Sequence, residues 1–264
     1  VDSDIRIAIP SYQRADQLPQ KTLAMFESYG VDPNIVTIFV ANKRERDVYS
    51  QALQGCRYQH LVIAEKGMRQ VRRFIQRYYR EGQRVMNFDD DVNAILRKDV
   101  NRLAPVEDLQ AQVIQRGFDA LKEHSAYLFG VYPVANAFFM KHRTAVGLFF
   151  CVGPCWGLIT RHQEEVSVSN LRNRPKEDYE RTLRHYVMDG RVVRLDDITI
   201  RTRYHDRVGG CEEELTEEGN VRSCQSLMEE FPNLCHTYIR KSTGRTEIRL
   251  RDKRLTLPDQ LKDW

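Results

Sequence analysis

LVIAEKGMRQVRRFIQRYYREGQRVMNFDDDV, residues 61–92, reads as strand, helix, strand. The apolar run LVIA at 61–64 is short and gives way to a polar turn at Gly67, as a buried strand does. From Met68 to about Tyr79, Met68, Val71, Ile75 and Tyr78 recur at helical spacing, with Arg69, Arg72, Arg73, Arg77 and Arg80 on the polar side. RVMNF at 84–88 is again a short strand run. Upstream, IRIAIP at 5–10 is an apolar strand broken by Pro-Ser-Tyr. Residues 16–29 place Leu18, Thr22, Met25, Phe26 and Tyr29 on one helical face, and Gly30 ends that helix. IVTIFV at 35–40 is a β-branched strand, and a short helix is expected over 44–53. Strand alternating with helix over nearly one hundred residues predicts a mainly parallel sheet with helices on both faces, the α/β class. In such sheets ligands bind beyond the carboxyl ends of the strands.

Downstream, residues 106–124 form a long amphipathic helix with Leu109, Val113, Phe118 and Leu121 inward. Residues 127–160 are aromatic and strand-like, and 161–176 are basic and irregular. A helix from Glu177 to about Val187 precedes strands at 191–204 and around 237–251. The acidic stretch CEEELTEEG at 211–219 reads as a solvated loop or a helix start.

With 264 residues, 41% hydrophobic and 30% charged, the chain is too apolar for a disordered protein and lacks any fibrous or coiled-coil period. No apolar run approaches the roughly 20 residues that span a bilayer. The start, VDSDIRIAIP, has no basic flank or adequate apolar core of a secretory leader, so a soluble cytoplasmic protein is expected. The six cysteines form no C-x2-C pair, which favours reduced thiols over a zinc site built from Cys211, Cys224, Cys235 and His236.

Asp89-Asp90-Asp91 follows the strand RVMNF directly. Three adjacent carboxylates repel one another, and a hard divalent cation with oxygen ligands removes that penalty. The plain alternative is an acidic turn, with Asp91 capping a helix over VNAILRK. Arg69 and Arg72, in the first turns after Gly67, are placed to meet a phosphate near the same sheet edge, where backbone N–H groups also point.

IAIPSYQR, VTIFVAN, LVIAEKGMRQVRRF and RVMNFDDDV together resemble the nucleotide-binding half of a GT-A glycosyltransferase. The resemblance implies a single GT-A domain over 1–264, with residues 1–97 holding the nucleotide-sugar and 98–264 facing the acceptor, ending in a basic C-terminal extension. It implies a Mn2+ or Mg2+ ion on Asp91 first, with Asp89 either on that metal or on the ribose, and His205 of TRYHDRVGG completing the metal site. Pro10, Tyr12, Arg14 and Asn42 then border the uridine of a UDP-sugar, UDP-glucose in the first instance, while Gly67, Arg69 and Arg72 line the donor site. Arg73 stands where this pattern usually has asparagine. Glu177-Asp178 is similar to the family's Glu-Asp motif, which makes Asp178 the general base of an inverting reaction.

The full string, IPSYQR, FVANKRERDVY, KGMRQVRR, FDDDV, EDYERTLR and TRYHDRVGG, resembles the TET-associated glycosyltransferases of DNA-modifying bacteriophages. That likeness implies sugar transfer to 5-hydroxymethylcytosine in DNA, in the host cytoplasm, with no membrane involved. The charge pattern offers partial support. The net charge is only +4, yet residues 237–254 carry seven basic side chains against two acidic ones, and with Arg161, Arg172 and Arg174 they suit a phosphate backbone. Acting on duplex DNA requires flipping the base, and Trp156 is read either as a stacking platform or as core. Two other readings stand: a GT-A enzyme with a polysaccharide, lipid or protein acceptor, and a non-catalytic DNA-binding module on the same fold.

Overall fold

The computed structural model describes residues 4–169, 175–202 and 216–255. β1 (Ile5–Pro10), β2 (Val36–Val40), β3 (His60–Ile63) and β4 (Arg84–Phe88) lie parallel in the order β3-β2-β1-β4. They are joined by α1 (Thr22–Ser28), α2 (Lys43–Ala52) and α3 (Met68–Tyr78). Strand alternation splits the core between the two faces. Ile7, Ile9, Ile38 and Met86 pack with Met25 and Phe26 of α1. Ala8, Phe39 and Val85 point the other way, under Val71 and Ile75 of α3. The helices therefore cover both faces, which is why β2 is buried at every position.

The segment VNAILRK is a strand. β5 (Val92–Asp99) forms a ladder with β6 (Arg102–Pro105) and with the later strand β10 (Val192–Thr202). Asp91 therefore caps no helix. Ile95 and Leu96 are buried here on opposite faces of the strand, a pattern whose local ambiguity is resolved by long-range pairing. The amphipathic stretch at 106–124 begins with a wide π turn over Gln110–Gln115 and continues as α4 (Arg116–Glu123). β7 (Leu128–Tyr132), β8 (Thr144–Gly147) and β9 (Cys155–Ile159) follow. β9 enters antiparallel between β4 and β7, extending the parallel half into a ten-stranded mixed sheet.

α5 (Glu177–Asp189) packs below that junction, and α6 (Glu217–Glu230) supports a separate two-stranded ribbon of β11 (Cys235–Ile239) and β12 (Thr246–Leu250). The acidic stretch starts α6, with the Thr216 hydroxyl accepting from the Gly219 N–H at 3.0 Å; its first five residues lie outside the described residues. Cys56, Cys151, Cys155, Cys224 and Cys235 are free thiols, and no described helix is long and apolar enough to cross a membrane.

Phe129 of β7 is fully buried with its ring between Gly117 of α4 and Gly157 of β9, and a Cβ at either glycine would overlap the ring. Gly157→Ala is therefore expected to cost about 1–3 kcal/mol through overpacking beside β4. Urea unfolding checks this as a lower midpoint with an unchanged slope.

Candidate active site

The acidic triplet leaves the end of β4 on a loop strapped from two sides. The Asp89 N–H donates to the Pro154 carbonyl at 3.0 Å, while the Asp89 carbonyl accepts from Thr22 Oγ1 at 2.7 Å. The same hydroxyl accepts from the Val92 N–H at 3.0 Å, so one threonine of α1 closes the turn. Asp90 is turned inward. Its Oδ2 accepts from Ser11 Oγ at 2.5 Å, and Ser11 in turn meets the Tyr49 hydroxyl at 2.6 Å. Arg14 Nη1 reaches Asp90 at 3.0 Å and Asp91 at 3.1 Å, and Arg72 Nη2 reaches Asp89 at 2.6 Å. The sequence offers no nearby counter-charge for this triplet; the fold brings two arginines to it.

Even so, the carboxylates disfavour one another's ionised form. Burial, and then Asp89 and Asp90, push the Asp91 carboxyl up to about 6 despite Arg14. Across the cleft α5 adds Glu177 and Asp178. Glu177 pairs with Arg181 at 2.9 Å and lies 3.9 Å from Arg72 Nε. Five carboxylates thus face three guanidinium groups, Arg14, Arg72 and Arg181, and the Lys21 and Lys176 ammonium groups act on Asp91 and Asp178. The donor set is carboxylate oxygen, which suits Mg2+ or Mn2+. Among the described residues no three His, Cys, Asp or Glu side chains converge into a ready metal cage. The fit is therefore to an ion held by one or two carboxylates and completed by substrate oxygens, a common way for Mg2+ to bind beside phosphates.

Asp178 sits in the first turn of α5, half-buried. Its Oδ2 accepts from the Gly153 N–H at 3.3 Å and its Oδ1 from the Tyr179 N–H at 2.9 Å. Burial, followed by the adjacent Glu177, raises its carboxyl to about 6, against the pull of Arg181. A carboxylate with raised basicity and no direct ion pair among the described residues is suited to accept a proton. The loop 153–154 joins both ends of the site: Gly153 donates to Asp178, and Pro154 accepts from Asp89. The backbone before Asp178 is unusual, because Lys176 holds φ 68° as a non-glycine residue. Its ammonium is tied to Glu247 of β12 at 3.0 Å.

The remaining expected residues separate. Pro10 ends β1, buried, and the Tyr12 ring beyond it carries the Lys66 ammonium 5.0 Å from its centroid, so Tyr12 lines the mouth between β1 and β3. Gly67 takes φ 106° immediately before α3, a conformation that favours glycine. Arg72 meets Asp89 as described and keeps a buried Nη1 with no hydrogen-bond partner among the described residues, a spare donor beside the acids. Arg14, expected beside the uridine, clasps Asp90 and Asp91. The Asn42 carboxamide oxygen is occupied in capping α2 through the Glu45 N–H at 3.0 Å.

Arg69 does not face the site. It is 4% exposed and points between α3 and α5, bonded to Glu180 and to Ser169 Oγ at 3.1 Å. Its position in the helix matched a phosphate contact, but its partner is 111 residues away. Trp156 is core: it is 4% exposed, with the Arg181 guanidinium 3.7 Å above its ring, so it offers no platform for a base. His205 lies outside the described residues, as do Arg172 and Arg174. Sequence reasoning missed Ser11, Thr22, Tyr49 and the 153–154 loop, which shape the acidic corner through contacts far apart in the chain.

No family model matches the chain, and no curated protein matches it by sequence. Solved structures do. Residues 1–349 of S. aureus TarS share 12% identity, over 75% of this chain and 59% of that one, with a TM-score of 0.51. The mannosyltransferase PcManGT from Pyrobaculum calidifontis, in complex with GDP-Man and Mn2+, shares 13% identity over 87% of this chain and 63% of that one, with a TM-score of 0.57. The chain thus spans less than two thirds of either neighbour. At such identities the likeness concerns architecture, and the chain has the Rossmann-like α/β fold of the GT-A glycosyltransferases.

Proposed function

We propose that this protein is an inverting glycosyltransferase that moves a sugar from a UDP-sugar to the hydroxyl of 5-hydroxymethylcytosine in DNA. The observation that carries the transferase reading is the meeting of Asp178 and the Asp89–Asp91 corner across one two-residue loop, although 87 or more residues separate them in sequence. The fold it shares with a mannosyltransferase holding GDP-Man and Mn2+ supports a nucleotide-sugar donor and a divalent ion. A Mn2+ or Mg2+ ion held by Asp91 and Asp89 would offset the charge of the departing diphosphate. Arg72 brings its spare N–H donor to that diphosphate, and Tyr12 with Lys66 borders the nucleoside. As the acceptor oxygen bonds to the anomeric carbon, the bond to the phosphate oxygen breaks, and Asp178 takes the hydroxyl proton.

The acceptor rests on the sequence resemblance and on the basic C-terminal segment. On this reading residues 1–97 serve the donor and 98–264 the acceptor, and the enzyme works in the cytoplasm where its DNA lies. Incubating hydroxymethylcytosine DNA with several UDP-sugars and Mn2+, then analysing nucleosides by mass spectrometry, tests it. A glycosylated hydroxymethylcytidine supports the proposal. Donor turnover with no modified nucleoside removes the DNA acceptor, and no turnover of any donor removes the transferase.

A further inference from the structure

The ribbon that ends the described chain carries charge in an ordered way. Its inner face, Cys235 and Ile248, packs on Cys224 and Leu227 of α6. Past Leu250 the chain stays bonded to the segment before β11, the Arg251 N–H donating to the Leu234 carbonyl and the Lys253 N–H to the Asn233 carbonyl, both at 2.8 Å, and it turns at Lys253. Along this extension Ile248 and Asp252 are buried and Leu250 is half-buried, whereas Arg249, Arg251 and Lys253 are exposed. Arg249 and Arg251 therefore share the outward face about 7 Å apart, with Glu247 the preceding residue of that face, and exposed Lys253 follows in a turn. Asp252 is turned inward to the Tyr186 hydroxyl at 2.8 Å and to Arg254. Arg240 and Lys241 add two more cations at the turn, where Arg245 lies 3.8 Å from Glu217 of α6.

Opposite Arg249 on the same face stand His236 and, one step on, Tyr238, whose ring lies 4.9 Å from the Arg249 guanidinium. Burial and then Arg249, Lys253 and Arg251 hold His236 below its ordinary pKa, a sign of the positive field there. The row also adjoins the base: Glu247 of β12 binds Lys176, two residues before Asp178.

We propose that the outward face of the β11–β12 ribbon docks the phosphate backbone of duplex DNA and so presents the acceptor to Asp178. This rests on the DNA-acceptor reading above. A linear row of cations matches a linear polyanion better than a single anion, which would call for convergent donors.

The test measures binding of the full chain to an unmodified 30-base-pair duplex across a salt series, for the wild type and for a variant with K241Q, R249Q and K253Q. All three side chains are exposed, so the fold should persist, and circular dichroism checks it. Each phosphate contact contributes about 0.9 to the slope of log affinity against log salt, so the variant's slope should fall by about 2–3. Wild-type binding with an unchanged variant slope would overturn the ribbon and leave the DNA acceptor standing. No wild-type binding at low salt, or binding only to vesicles of anionic lipid, would overturn both, while donor turnover would still report on the transferase reading.

Discussion

Asp178→Asn is expected to lower sugar transfer by 10²–10⁴-fold, about 3–5 kcal/mol of transition-state stabilisation, while donor binding stays intact. An asparagine of nearly the same volume keeps one oxygen for the Gly153 N–H, so the loop that joins the two ends of the site is retained, while its NH2 group replaces the acceptor of the Tyr179 N–H. What it loses is the ability to take a proton. The pH profile separates this from a structural effect. With the wild-type carboxyl raised to about 6, transfer should be low where that group is protonated and rise to a plateau as pH climbs through about 6. The stability sign runs the other way. A carboxyl whose pKa is raised by folding carries a penalty when ionised, which is relieved as pH falls through that value, so the wild type should gain melting temperature relative to the asparagine variant as pH falls through about 6. Single-turnover rates, donor titrations and thermal melts on the two proteins decide it. A variant that retains wild-type turnover, or whose acidic limb persists unshifted, would remove Asp178 from the proton-transfer role.

The elements that frame this site were legible because their signals are local. RVMNF followed by three aspartates marks a strand end, Gly67 marks a helix start, and Glu177-Asp178 opens an amphipathic run. What could not be read was which side chains would meet. Arg14 in a loop after β1 and Arg72 in α3 carry no sequence mark of their partners, yet Arg14 bridges Asp90 and Asp91 whereas Arg72 meets Asp89. Arg69 sits three residues before Arg72, and a rotation of that size about the helix axis sends it to Glu180 instead. The strand at 92–99 was equally ambiguous, since Val92, Ile95 and Leu96 suit a helix face as well as a strand. Its pairing with β10 more than one hundred residues later decides the matter, and that information is not local. Ser11, whose bond to Asp90 spans 79 positions, is illegible for the same reason.

Asp91→Asn should separate function from stability at the acidic corner. A bound divalent ion is worth several kcal/mol to a departing diphosphate; taking about 4 kcal/mol, its loss would slow transfer roughly 1000-fold. In the metal-free protein the same change removes one of three adjacent negative charges. Because the fold holds that carboxyl at about 6, well above its ordinary range, its ionised form is disfavoured by burial and by its neighbours, and Arg14 does not make up the difference. An asparagine still accepts a hydrogen bond from Arg14, so the metal-free variant should melt no lower than the wild type. Adding Mn2+ and UDP together should raise the wild-type melting temperature, by up to about 2.7 kcal/mol of linkage at one hundred times the dissociation constant, and should raise the variant's far less. These measurements give opposite signs for a metal ligand and for a structural residue. A structural residue loses melting temperature with or without the ion, whereas a ligand loses only the ion-dependent increment. If the variant melts lower without metal and keeps the full Mn2+ increment, the ion binds elsewhere and Asp91 serves the turn after β4.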